Sequence, residues 1–152
     1  MATRPRRSPR SKSIRSYHSP ACYLHEAVRG IGRGRTDARI QIKRVYDGAD
    51  KTDGYRVLVD RLWPRGITKR RAALDEWVKE LAPSTALRVW FHGDRSDWTE
   101  FVRRYRAELR AAAPALDALR KHARRQRVTL LYGARDPQCN HAIVLRDVLR
   151  GT

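Results

Sequence analysis

The run from Gly54 to Gly66 constrains the fold more than any other part of this chain. Its first half, residues 55–59, carries apolar or aromatic side chains at four of five positions. Apolar residues on both faces predict a strand buried on both sides, as in a sheet covered by helices. The second half turns at a proline and a glycine and carries Asp60, Arg61 and Arg65. Because ligands in open α/β sheets bind outside the carboxyl ends of strands, this run predicts a core strand followed by a charged site loop.

Two further strands are predicted at residues 40–46 and 128–132, where short apolar runs are bounded by turn residues. We expect all three strands to share one sheet, with strands 55–60 and 128–132 in its interior. Because strands alternate with helical segments, the fold class is α/β. The sequence predicts a small single domain with a parallel or mixed sheet covered by helices.

Helical periodicity predicts the covering layer. Thr68 can cap a helix that runs to about Leu81. Apolar residues recur at helical spacing along this segment, which predicts the helix itself. Asp97 and Glu100 form a capping-box-like pair before the strongest helix. The apolar patch at residues 87–91 fits either a helix or irregular structure. Two more helices are expected, one with Pro114 in its first turn and one capped by Asn140. The apolar residues that define the first and the strongest of these helices are Leu74, Trp77, Val78 and Leu81, then Trp98, Phe101, Val102, Tyr105 and Leu109.

The net charge of +18 is unevenly distributed, since residues 1–39 contribute +8 of it. Residues 1–38 are rich in Arg, Ser and Pro and lack apolar clusters, which predicts a disordered basic tail before an α/β domain at residues 39–152. The tail fits a basic arm that binds nucleic-acid phosphates, or an extension created by an upstream start codon. The arginine-rich surface of the strongest helix likewise fits a solvated face or a nucleic-acid contact.

Composition also excludes several classes of protein. No apolar run approaches the ~20 residues of a membrane span, and no secretory signal is visible, so we expect no membrane association. Two distant cysteines predict no disulfide framework and a cytoplasmic location. The five histidines are scattered, and no metal-ligand spacing or phosphate-binding glycine motif follows a strand. No metal and no cofactor is therefore expected, and the sequence leaves the oligomeric state open.

Polar loops follow the strands at 55–60 and 128–132, and they define the candidate site. If the two strands are neighbours, Arg61, Arg65 and Arg135 can supply guanidinium groups to a phosphate or carboxylate. Asn140, at the start of the last helix, would add helix N–H groups to the same anion-binding site. Asn140 is equally well explained as the cap of that helix.

Three residues in these loops are candidates for catalysis: Asp60, Cys139 and His141. Cys139 at a helix N-terminus would have a lowered pKa, and His141 could act as its base. The alternatives are structural, because Asp60 and Arg61 can stiffen the turn by pairing with neighbouring residues. Trp63, in the same loop, fits a core plug or a stacking platform.

Four runs resemble the YeaO-like family that carries the domain of unknown function 488: residues 42–47, 54–66, 81–84 and 128–132. The resemblance covers residues 40 to 150 and implies a small α/β domain, but it implies no activity. This chain departs from the family at Cys139-Asn140, where relatives commonly carry His-Asn, which argues against an obligate cysteine nucleophile.

These observations lead to one functional hypothesis and one alternative. The hypothesis is an anion-binding domain for a phosphate or nucleotide-like small molecule, with possible enzymatic activity at the strand ends. The alternative is a regulatory or sequence-nonspecific nucleic-acid-binding protein that uses its basic tail. No helix-turn-helix or ribonucleoprotein motif is present, which argues against sequence-specific recognition.

Overall fold

The computed structural model describes residues 39–93 and 97–151, so the predictions made for residues 1–38 lie outside the described residues. The strands are β1 (Ile40–Arg44), β2 (Tyr55–Leu58), β3 (Glu76–Trp77) and β4 (Val128–Tyr132). The helices are α1 (Lys69–Ala72), α2 (Thr85–Phe91), α3 (Trp98–Ala111), α4 (Ala113–Arg125) and α5 (His141–Arg150). Single 3-10 turns cover Val45–Asp47 and Lys79–Leu81.

The strands form one parallel sheet in the order β1-β4-β2-β3. The two strands predicted to be interior, β2 and β4, are interior and hydrogen-bonded to each other. Every residue of β4 is buried, as is most of β2, because both faces of the sheet are covered. The α/β fold predicted from the sequence is therefore confirmed.

The two faces of the sheet carry cores of different size. The larger core packs α2 to α5 against one face, with Tyr105 of α3 fully buried at its centre. The smaller core lies on the other face and consists of Val45, Leu58, Ile67, Ala72 and Leu131. One helical turn, α1, and the loops around it cover this second face, which leaves the loop after β2 at the molecular surface.

The predicted N-termini of the helices are confirmed. Thr68, Asp97 and Asn140 each accept a backbone N–H as N-caps of α1, α3 and α5. Pro114 lies in the first turn of α4. The patch at residues 87–91 is helical, within α2.

The predicted helix from Thr68 to Leu81 is wrong beyond its first turn. Ala73 adopts a left-handed conformation with φ of 46° and ends α1. The N–H of Asp75 donates to the carbonyl of Arg56 at 2.9 Å. The side chain of Asp75 accepts the N–H of Arg56 at 2.7 Å. These bonds hold the segment along the edge of β2, where it becomes β3.

The periodicity of this segment has a different structural origin. Leu74 and Trp77 pack against the smaller core, whereas Val78 and Leu81 belong to the larger core on the opposite face. Apolar residues that belong to two different cores therefore have the same sequence spacing as the apolar face of one amphipathic helix. The predicted strand at 40–46 is also shorter than expected, because Val45 and Tyr46 turn into the smaller core.

A buried charged cluster, which the sequence did not reveal, lies before β2. Asp53 is 2% exposed and accepts hydrogen bonds from Lys43 at 3.1 Å, from the Asp50 N–H at 2.9 Å and from Arg56. Burial acts to raise the pKa of Asp53, but these hydrogen bonds and the two nearby cations outweigh it and lower the pKa. Arg56 also donates to the carbonyl of Ala72 at 2.9 Å, which attaches α1 to the sheet.

Candidate functional site

The carboxyl ends of β2 and β4 lie side by side, because these parallel strands are direct neighbours. The loop after β2 (residues 59–67) and the segment after β4 (residues 133–141) therefore leave the sheet at the same edge. We call these two segments together the rim. The rim contains every site residue predicted from the sequence.

Asp60 joins the two segments of the rim. One carboxylate oxygen accepts the N–H of Gly133 at 2.7 Å, and the other lies 3.1 Å from Nε2 of His141. The Asp60 carbonyl accepts the indole N–H of Trp77 at 2.7 Å, which adds β3 to the junction. Asp60 thus stiffens the turn as the structural alternative predicted, but its partners are distant in sequence and do not include the neighbouring residues that the prediction named.

Gly133 is required at its position because of Asp60. A Cβ atom at residue 133 would lie 2.8 Å from the Asp60 carboxylate oxygen, closer than real Cβ contacts permit. The sequence analysis did not identify Gly133 as part of the site. The available signal was its position directly after a buried strand, because a glycine there often marks a place where another part of the chain comes close to the backbone.

His141 is held in one orientation by the same junction. Its Nε2 atom lies 3.0 Å from the carbonyl oxygen of Val59 and 3.1 Å from the Asp60 carboxylate. Because both partners accept hydrogen bonds, Nε2 carries the proton. The ring also meets Tyr105 edge-on, with centroids 6.3 Å apart. His141 thus links α5 to the end of β2.

Asn140 uses its side-chain amide to shape the start of α5. Its oxygen accepts the N–H of Ile143 at 3.2 Å, and its nitrogen donates to the carbonyl of Asp136 at 3.0 Å. The side chain of Asp136 accepts the N–H groups of Gln138 and Cys139. Asn140 is 3% exposed, and its role as a helix cap is confirmed. Its anion-binding role stays a prediction.

The three arginines predicted to bind an anion are all exposed: Arg61, Arg65 and Arg135. Among the described residues, none of their side chains forms a hydrogen bond or ion pair. Two of them lie on one segment of the rim and Arg135 on the other. Three guanidinium groups at one edge of the sheet are therefore without partners among the described residues.

Trp63 lies beneath this loop. Its indole N–H donates to the carbonyl of Ile67 at 2.6 Å, and its ring packs edge-on against Trp77 with centroids 5.3 Å apart. Trp63 also borders the smaller core. The structure agrees with the interpretation of Trp63 as a core plug.

Cys139 is disulfide-bonded, and it is the only cysteine among residues 39–93 and 97–151. This disulfide differs from the expectation of a chain without a disulfide framework. Because its sulfur is bonded, Cys139 is not the thiolate that a nucleophilic role requires.

Tyr132 and Arg44 border the rim and were also missed by the sequence analysis. Burial raises the pKa of the Tyr132 phenol, and the carboxylates of Asp47 and Asp136 act in the same direction. Nearby Arg44 opposes this shift, as does a hydrogen bond with Asn140. Tyr132 is therefore a neutral phenol at pH 7. Arg44 itself donates to the carbonyl of Ala134 at 3.1 Å and braces the second segment.

Neither a metal site nor a membrane-spanning helix is found in the part of the chain that the structure describes. No group of three or more His, Cys, Asp or Glu side chains there could hold a metal ion. None of the described helices is both long enough and apolar enough to cross a bilayer.

Comparison with known proteins gives consistent matches over the folded region. Residues 39–152 match a family model described as the inactive DUF488-N3 subclade. The uncharacterized protein YeaO of Escherichia coli K12 is 54% identical over 111 residues, which is 73% of this chain and 96% of the relative. The uncharacterized protein Rv3073c of Mycobacterium tuberculosis H37Rv is 43% identical over 115 residues, covering 76% and 97%. No solved structure matches significantly. The resemblance inferred from the sequence motifs is confirmed.

Proposed function

Because the chain belongs to the inactive DUF488-N3 subclade of the YeaO-like family, we propose that its rim binds a small phosphate-bearing anion without catalysing a reaction. One observation carries this proposal. Asp60 ties the segments after β2 and β4 together, through Gly133 at 2.7 Å and His141 at 3.1 Å. Three exposed arginines without described partners lie on the segments that it joins.

Binding is favoured over catalysis by the environments of the three catalytic candidates. Both carboxylate oxygens of Asp60 already have partners, and His141 contacts two acceptors through Nε2. Cys139 is disulfide-bonded. A general base or nucleophile needs an accessible lone pair directed at substrate, and these side chains are instead used to hold the rim together. The description of the subclade as inactive agrees with this distribution of roles.

A phosphate group suits the arginines for geometric reasons. The guanidinium group offers a planar fork of donors that matches two oxygens of a phosphate or carboxylate. Arg61, Arg65 and Arg135 outnumber the two carboxylates of the rim, Asp60 and Asp136, so the rim has a net positive charge. The ligand expected here is inorganic phosphate or the phosphate group of a nucleotide.

Thermal denaturation with increasing phosphate or nucleotide tests the proposal. We expect ligand to raise the melting temperature of the wild-type protein, and Arg65→Ala to abolish most of that rise. Each charge-assisted hydrogen bond contributes about 1.5–3 kcal/mol, so losing one guanidinium weakens binding by more than tenfold. Without ligand, Arg65→Ala should leave stability within about 0.5 kcal/mol of wild type, because the side chain is exposed.

Arg110→Ala is the matched control, since Arg110 is an exposed arginine at the end of α3, away from the rim. It should retain the full ligand-induced shift. Equal shifts in wild type, Arg65→Ala and Arg110→Ala would place the anion elsewhere and contradict the proposal.

A further inference from the structure

The segment from Arg61 to Leu74 contains five basic residues and no acidic residue. All five basic side chains are exposed, and we call them the rim–α1 surface: Arg61, Arg65, Lys69, Arg70 and Arg71. The acids that flank this segment are used by the backbone of the sheet. Asp60 accepts the N–H of Gly133 at 2.7 Å, and Asp75 accepts the N–H of Arg56 at 2.7 Å.

Several other exposed basic side chains of the domain are neutralised by a nearby acid. Arg103 and Arg104, for example, both pair with Glu100 at 2.7 Å. Arg120 pairs with Asp117 at 3.0 Å. In contrast, the five side chains of the rim–α1 surface form no ion pair or hydrogen bond with any residue that the structure describes. Their charge is available to a ligand.

The backbone beneath these side chains is fixed by other groups. Trp63 donates to the carbonyl of Ile67 at 2.6 Å, and the Tyr46 hydroxyl donates to the carbonyl of Arg65 at 3.0 Å. Thr68 caps α1 through the N–H of Arg71 at 3.1 Å. The charges are thus presented on an ordered backbone, which lowers the entropy cost of binding. None of these contacts uses a basic side chain, so the fold does not require the charges.

We propose that the rim–α1 surface binds the phosphate backbone of nucleic acid without sequence preference. The inference rests on the proposed function for Arg61 and Arg65, and extends it to Lys69, Arg70 and Arg71. Five cations within eleven residues exceed what one small phosphate can contact, whereas duplex DNA offers one negative charge per ~1.7 Å of its axis. Phosphate contacts carry no sequence information. A single turn of helix at this surface is therefore sufficient for the binding that we propose.

A second basic group lies at the end of α4: Lys121, Arg124 and Arg125. Both groups end a helix, but α4 has 13 residues and α1 only four, so the helix dipole stabilises the cations of α4 more strongly. These three residues are exposed like those of α1 and provide a charge-matched control.

The test measures binding of the full chain to a short mixed-sequence DNA duplex by fluorescence anisotropy over a range of salt concentrations. Each phosphate contact contributes a slope of about −0.9 to log K against log salt. K69A/R70A/R71A should therefore reduce the slope by up to about 2.7 relative to wild type. K121A/R124A/R125A removes the same charge and should change the slope by less than about 0.9, the contribution of one phosphate contact.

A slope for the α1 variant equal to that of wild type would overturn the inference, as would an equal or larger loss in the α4 variant. The variants are first compared by thermal denaturation. If K69A/R70A/R71A does not fold, K69Q/R70Q/R71Q replaces it and is judged by the same slopes. The phosphate-induced shift in melting temperature depends on Arg65 and should persist in the α1 variant. Failure of this inference is therefore distinguishable from failure of the proposed function.

Discussion

Asp53 precedes β2 and Asp60 follows it, and the arginine near each of these carboxylates occupies a different environment. At the start of β2, Arg56 is 4% exposed and pairs with Asp53, which Lys43 also contacts at 3.1 Å. After β2, Asp60 pairs with His141 and Gly133, and Arg61 stays exposed. The comparison shows that the same residue types stabilise the fold at one end of a strand and remain available for binding at the other.

The difference follows from what surrounds each carboxylate. Asp53 is buried, and its partner Arg56 also donates to the carbonyl of Ala72 in α1. A buried charge there must be paired, so Arg56 folds inward. Asp60 is 17% exposed through its side chain, and its two oxygens are satisfied by the backbone N–H of Gly133 and by Nε2 of the His141 side chain. Its neighbouring arginines are therefore not needed for stability.

The largest expected effect comes from Asp53→Ala. This substitution leaves Arg56 buried without its carboxylate, and breaking one side of a buried pair costs about 3–5 kcal/mol. Unfolding in denaturant measures the free energy directly. Asp117→Ala is the control, because Asp117 pairs with Arg120 at the surface and its loss should cost about 0–1 kcal/mol. Similar values for the two variants would contradict the comparison.

Asp60→Ala should have a smaller effect, of about 1–3 kcal/mol, because it leaves the N–H of Gly133 without an acceptor where water has partial access. Asp60→Asn keeps an oxygen that can accept this N–H and should retain more of the stability. Unfolding in denaturant ranks both variants against Asp53→Ala. If Asp60→Ala is the most destabilising of the three, the two ends of β2 have been assigned the wrong roles.

The smallest expected effect is the acid dependence that Asp53 adds to stability. Its pKa is lowered in the folded state, so its contribution is fully present above the unfolded pKa of about 3.9. The contribution is lost as the pH falls through that value toward the lower folded pKa. The stability of wild type should therefore fall more steeply than that of Asp53→Asn in this acidic range. Parallel stability profiles from pH 7 to pH 3 would show that Asp53 is not ionised preferentially in the folded state.

Much of the fold was predictable because it depends on short-range patterns. The interior positions of β2 and β4 follow from apolar residues on both faces, and the caps at Asp97 and Asn140 involve N–H groups three residues away. The rim was predicted only on the condition that β2 and β4 are neighbours, and the structure supplied that adjacency.

The rest required contacts between distant residues. The segment at 73–81 has the spacing of a helix, but bonds from Asp75 to Arg56 hold it as a strand at the sheet edge. Sequence spacing does not distinguish one buried face from two separate cores, and here the tertiary structure supplied two. The partners of Asp60 could not be predicted either, because Gly133 and His141 lie more than seventy residues away.

The sequence by itself thus determined the α/β class, the core strands and the helix caps, because each depends on local periodicity or local hydrogen bonding. The tertiary structure alone decided which charges are paired. Pairing depends on which loops the strand order β1-β4-β2-β3 brings together and on how deeply each carboxylate is buried. For this reason Arg56 supports the sheet, whereas Arg61 and Arg65 remain exposed at its edge.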